Sequence, residues 1–235
     1  MRTRTINHYI RLLSTSLTLA LGTPPLQATA LPPDKAADPH IANTDSLLAT
    51  PLVLPQAKGF NSGRLGLSDC KTARKLTPQS ILAICRVRKA DRRPDRGLRL
   101  VLVHINERGP RILFLGPGGV DAYTATLTAV TLPHSETHIL FVDFAAEFHY
   151  GTQVFYLPEE GKPRLAGSID GLALDDDQDP VSPTRYARVS GDSSGFSIRF
   201  DRPLIKIGRD GSPAAADRST YIYDTASGCW TLTKD

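Results

Sequence analysis

The sequence predicts a mostly β protein: an antiparallel β-sandwich, barrel or meander with at most one or two short helices. Three observations carry that expectation. From residue 98 onward, short β-rich runs are separated by clusters of Gly, Pro and Asp. Several of those runs alternate apolar and polar residues with a period of two. One segment alone, Pro78–Arg86, offers a helix, with Thr77 as N-cap and proline at the first position. Even there, Ile81-Leu82-Ala83-Ile84 reads equally well as a strand.

The chain begins with the pattern of a secretory signal peptide. Arg2, Arg4 and Arg11 form a positive segment ahead of the apolar run at residues 12–21. Pro24 and Pro25 then end any helix, and Ala28-Thr29-Ala30 has the small-x-small form that signal peptidase accepts. The apolar run is short for a membrane span, which needs about 20 residues. Cleavage is therefore expected near Leu31, with periplasmic or secreted localisation and no membrane-spanning segment afterwards. Residues 31–56, rich in Pro, Ala, Asp and Thr, are expected as a flexible linker. Residues 57–235 are expected as a single β-rich domain.

Residues 1–30 hold three arginines and no acid, so the net charge of +4 falls to +1 once they are removed. The basic balance is therefore no footprint of nucleic-acid binding. Charge within the remainder is uneven. Residues 71–99 carry ten basic side chains against Asp91 and Asp95, while Asp175, Asp176, Asp177 and Asp179 stand almost together. A basic surface for an anionic partner competes here with a solvated loop, the usual role of a charge run.

Cys70, Cys85 and Cys229 would meet an oxidising compartment. An odd count allows one disulfide and leaves one thiol over. Cys70–Cys85 is the expected pair, because the intervening segment is short and holds a turn signal at Thr77-Pro78. Cys229 lies in what reads as a terminal strand, and pairing with either of the others stays open.

The strands are expected in order at Leu98–Asn106, Arg111–Leu115, Ala122–Leu132, His138–Tyr150 and Gln153–Leu157. Arg164–Ile169, Arg185–Ser190, Phe196–Phe200, Leu204–Ile207, Thr220–Tyr223 and Trp230–Thr233 follow. In Ala122–Leu132, Thr124, Thr126 and Thr128 share one face while Ala125, Leu127 and Ala129 share the other. The run from His138 is apolar on both faces at its start, which places it centrally in its sheet. A hairpin across Gly151 joins it to Gln153–Leu157.

Each candidate site stands or falls on the chemistry it needs. Gly191-Asp192-Ser193-Ser194-Gly195 resembles the G-D-S-G-G of trypsin-like proteases over five residues, with no histidine in the matching A-A-H-C setting. A nucleophile elbow requires a helix after the serine, yet Phe196–Asp201 continues as a strand, so a hairpin turn is expected. Ser68-Asp69-Cys70-Lys71 fits S-x-x-K without its companion motifs. Gly116–Gly119 lacks the Gly-Lys-Ser/Thr ending of a phosphate loop. Asp143 and Glu147 share a strand face at about 13 Å, too far apart for a glycosidase pair, with His149 beyond them. His134 and His138 have no third ligand at a diagnostic spacing, and His104 reads as a core histidine. The aspartates at 175–179 lack the glycine and twelfth-position carboxylate of an EF-hand loop, leaving a looser calcium site open.

With no catalytic set complete, the expected function is an exported, non-catalytic binding protein. It would act as an inhibitor or immunity protein on an envelope enzyme or toxin, need no cofactor or metal, and meet a protein partner. Candidate contacts are Arg86, Arg88, Arg92, Arg93, Arg96, His149 and Tyr150. The alternatives are a periplasmic hydrolase using Ser193 or a cluster of Asp143, Glu147 and His149, and a structural envelope or adhesin module.

Overall fold

The computed structural model describes residues 48–88, 97–118, 122–146, 149–207 and 213–234, and among the described residues are seventeen strands in antiparallel sheets. The first of three main sheets is a meander of β2 (Leu67–Thr77), β3 (Ser80–Val87), β4 (Arg99–Asn106) and β5 (Gly109–Leu115). The second takes β1 (Thr50–Pro51), β6 (Thr124–Thr131), β7 (His138–Ala146), β8 (His149–Leu157) and β9 (Arg164–Asp170), in that order. Two small ribbons pair β10 (Ala173–Leu174) with β11 (Pro180–Val181), and β14 (Leu204–Ile207) with β15 (Pro213–Asp217). The third sheet has the order β12 (Ala187–Asp192), β13 (Gly195–Phe200), β16 (Ser219–Asp224) and β17 (Cys229–Lys234). The mostly β, antiparallel architecture predicted from turn spacing is the one observed.

Period-two patterning explains the stacking. On β7, Leu140, Val142 and Phe144 enter one core with Leu82, Ile84, Leu100 and Leu102 of the first sheet. Ile139 and Phe141 point the other way, into a second core with Val189, Phe196, Ile198, Tyr221 and Tyr223 of the third. The middle sheet is thus buried on both faces, and β7 is its central strand. A third, smaller core covers the outer face of the first sheet, where Ala57, Phe60 and Leu65 pack on Ile81, Ala83, Val101 and Val103.

The helix expected at Pro78–Arg86 is instead strand β3, with Thr77 and Ser80 paired across the hairpin turn. Its residues 81–85 are all buried, alternately in the first and third cores. An element apolar on both faces fits between two neighbouring strands, and that burial overrides the helix-start signals. The strand expected through Tyr150 ends at Ala146. His149 begins β8, and Gly151 lies within β8 opposite Phe144 rather than at the turn.

Residues 48–56 are the end of the segment expected as linker, and with Ala57 they hydrogen-bond to all three sheets. The amide of Ala49 donates to Val189 O (2.9 Å) on the third sheet, and that of Leu52 to Ala129 O (2.9 Å) on the second. Ala57 then donates to Ala73 O (3.0 Å) on the first, while Pro55 O accepts from Lys75 (2.7 Å). One short segment therefore ties an edge strand of each layer. Residues 1–30 and 31–47, with the expected signal peptide, lie outside the described residues. Among those described, no helix is long and apolar enough to cross a membrane.

Cys70 and Cys85 form a disulfide, as expected, across β2 and β3 with a Cα–Cα distance of 4.0 Å. It sits where the pairing register shifts between Ser68 and Thr72. Cys229 opens β17 as an exposed free thiol.

Candidate functional site

The strongest concentration of polar chemistry in the fold is centred on Asp143. Its position follows from strand register: Thr126 of β6, Asp143 of β7 and Thr152 of β8 stand side by side in one cross-strand row. The Thr152 hydroxyl donates to Asp143 Oδ1 (2.6 Å), and the Thr126 hydroxyl approaches Oδ2 (3.4 Å). A fourth element closes the group. Ser182 caps the short 3₁₀ turn Pro183–Tyr186, accepting from the Thr184 amide (3.3 Å), with proline at the first position. That turn delivers the Thr184 hydroxyl to Oδ2 (2.7 Å), and the Ser182 hydroxyl lies 2.8 Å from that of Thr184.

Asp143 is 8% exposed. Burial pushes its carboxyl above the ordinary value, and bonds from Thr152, Thr184, Ser182 and Thr126 pull it partly back. It lines a pocket of about 160 Å³ together with Thr124, Thr126, Phe144, Ala145, Gly151, Thr152, Ser182 and Pro183. Neither histidine nor a second acid is among the lining residues. Glu147, the acid expected further along the strand face of Asp143, lies outside the described residues, as do the side chains of His149 and Tyr150.

The glycines around Ser193 have a packing cause. Ser193-Ser194 is the turn of the β12–β13 hairpin, with Asp192 paired to Gly195. A Cβ on Gly191 would overlap the Gly195 carbonyl, and one on Gly195 would stand 2.6 Å from Tyr223 O. Asp192 Oδ1 accepts from the amide (2.8 Å) and hydroxyl (2.6 Å) of Ser194, which hold its carboxyl below the usual range. The Thr225 hydroxyl donates to Ser194 O (2.6 Å) and Ser193 O (3.0 Å). These bonds clamp a turn, and none runs from Ser193 to a histidine.

The acidic run is likewise bound internally. Asp175 Oδ1 accepts from the amides of Asp177 (3.0 Å) and Asp179 (2.9 Å), and Asp176 pairs with Arg202. Arg202 also stacks on Tyr186, 4.5 Å from the ring centroid, and donates to Leu174 O (2.7 Å). Among the described residues, no group of three or more His, Cys, Asp or Glu side chains is placed to hold a metal ion. His138 instead meets the Thr131 hydroxyl (3.1 Å), and burial lowers its pKa.

Of the expected basic contacts, Arg86 pairs with Asp69 (3.3 Å). Arg88 is exposed, its amide held by Gly66 O (3.0 Å). Arg92, Arg93 and Arg96 lie outside the described residues. Arg99, counted with the same charge run, is buried, so that run is not one continuous surface.

The chain matches no family model, no curated protein and no solved structure. Its function must be read from the site. Sequence reasoning identified Asp143 and the threonine face of β6, but passed over Thr152, Ser182 and Thr184. Their signal was weak: Ser182-Pro183-Thr184 is a cap-and-proline pattern, and only the fold brings it to a strand position 41 residues away.

Proposed function

We propose that this chain is an exported, non-catalytic binding protein that inhibits or neutralises an enzyme of the cell envelope. The observation supporting it is the state of Asp143. The single acid lining the pocket receives hydroxyl groups from two neighbouring strands and a 3₁₀ turn. A general acid or base works beside a reacting group and, in most such sites, beside a second titrating residue. Here the Thr126, Thr152 and Thr184 hydroxyls donate inward and no such residue lines the cavity. A carboxylate held rigidly in the wall of a pocket suits recognition, where preorganisation limits the entropy lost on binding. The three-layer scaffold, tied along its edges, provides that rigidity.

The test uses the purified mature chain as bait in an envelope extract, followed by assay of whatever binds in stoichiometric amount. The reading expects an enzyme whose activity falls on titration with this protein to a one-to-one ratio. A captured enzyme that keeps full activity, or labelling of Ser193 by a serine-reactive probe with turnover of an ester, would overturn it.

A further inference from the structure

We propose that the Asp143 pocket receives a protonated primary amine, the side-chain ammonium of a lysine presented by the protein partner. The inference rests on the binding-protein reading above and adds the site and the chemical group it takes.

The pocket wall carries a negative group with no cation against it: among the described residues, no lysine, arginine or histidine lines the pocket or forms an ion pair with Asp143. A buried carboxylate without a counter-charge is costly to hold ionised, and a cation entering the pocket removes that cost. The hydroxyls select the kind of cation. Thr126, Thr152 and Thr184 give their protons to the carboxylate, so their remaining lone pairs are available as acceptors. Thr126 and Thr152 belong to the pocket wall, with Ser182.

An ammonium has three donors on a compact charge, and such a ring of separate oxygens can take them one by one. A guanidinium is a planar fork that seeks both oxygens of a carboxylate together. Asp143 Oδ2 already accepts from Thr184 and Thr126 and Oδ1 from Thr152, which leaves one open lone pair, on Oδ1, and no free site on each oxygen for a fork.

The rest of the cavity suits the stem. Ala145 and Pro183 supply apolar wall for a four-carbon chain. The volume of about 160 Å³ exceeds that of a single water, whose share of the liquid is about 30 Å³.

The test is an NMR titration of the ¹⁵N-labelled mature chain with Nα-acetyl-lysine methylamide. The norleucine and arginine analogues and sodium chloride serve as comparisons. Amide signals of Ala145, Gly151 and Thr152 are expected to shift saturably with the lysine probe. They should respond about tenfold more weakly to the arginine analogue, and not to norleucine. Asp143→Asn removes the charge, and Ala145→Leu, on the Asp143 face of β7 and in the pocket wall, fills the pocket while leaving Asp143 in place. Ala145 is half-buried near the end of β7, so the second variant keeps the test valid if the first fails to fold. Both variants should lose the response.

No saturable shift, an equal shift with norleucine or sodium, or a full response in Ala145→Leu would overturn the proposal. If an inhibited enzyme binds Ala145→Leu as tightly as wild type, the amine pocket fails while the binding-protein reading stands. Lysine binding without any enzyme partner would have the opposite meaning.

Discussion

Trp230 occupies the space that a side chain at Gly167 would need. A Cβ on Gly167 of β9 would overlap Cγ, Cδ1 and Cδ2 of the indole. The ring lies 5.3 Å from Tyr221 and 6.4 Å from Phe196 by centroid, so it closes the core between the second and third sheets at their edges. Gly167→Ala should therefore force the two sheets apart and lower stability by about 1–3 kcal/mol, the usual cost of overpacking. Urea unfolding of wild type and variant gives the number. Trp230→Leu, which shortens the opposing side chain, should make the same glycine substitution less damaging in a double-mutant cycle.

The Cys70–Cys85 bond links β2 and β3 and closes a loop of 15 residues. In the chain-entropy model that constraint contributes about 3 kcal/mol. Replacing both cysteines by alanine should lower stability by about that amount in equilibrium unfolding, and reducing agent should destabilise wild type but not the double variant. Cys229→Ala should change little, because its thiol is exposed and unpaired.

Asp143 should give stability an unusual dependence on pH. Its carboxyl titrates above the ordinary value of 3.8 because burial disfavours the charged form. An acid raised by folding holds its proton more tightly in the native state. Its contribution is complete below the unfolded value and is lost as pH rises through the folded one. The melting temperature of wild type minus that of Asp143→Asn should therefore fall as pH rises across that window. A difference that grew with pH would mean that a cation already pairs with Asp143.

The segment at residues 48–57 covers edge-strand groups on all three sheets. Starting the chain at residue 58 removes its bonds to Val189, Ala129, Ala73 and Lys75. Uncovered edges pair with other chains. The truncated protein should therefore dimerise or aggregate at concentrations where the mature chain remains monomeric, as read by light scattering coupled to size exclusion. Leu52→Pro, which deletes one of those amides, should produce the same change in weaker form.

Export is open to a direct measurement. Protein recovered from the periplasmic fraction of an expressing cell should begin at Leu31, with the mass expected for loss of residues 1–30. An intact N-terminus in the membrane fraction would favour an uncleaved anchor.

Local pattern was sufficient to reveal much of this fold. Alternation along residues 124–131 and apolar character on both sides of residues 139–142 are period-two signals, and they recur as inward and outward faces of strands β6 and β7. Turn residues marked most strand ends, and the short spacing of Cys70 and Cys85 marked their pairing. At β3 the same local signals misled: Thr77-Pro78 reads as a helix start, and only placement between two strands decides that it is a hairpin turn.

What the sequence determined by itself was therefore the class of element and the faces each element buries, because both depend on neighbours a few residues away. Tertiary structure alone decided that the expected linker end is a tie across three sheet edges. It also decided that Asp143, read from sequence as the polar side of a half-covered sheet, is buried among hydroxyls from positions 126, 152 and 184. Those contacts span 9 to 41 residues, and no local rule of spacing encodes which strands become neighbours or which turn folds back over them. Even the second glycine of the Ser193 motif owes its identity to distant backbone, since it is the carbonyl of Tyr223 that leaves no room for a side chain at Gly195.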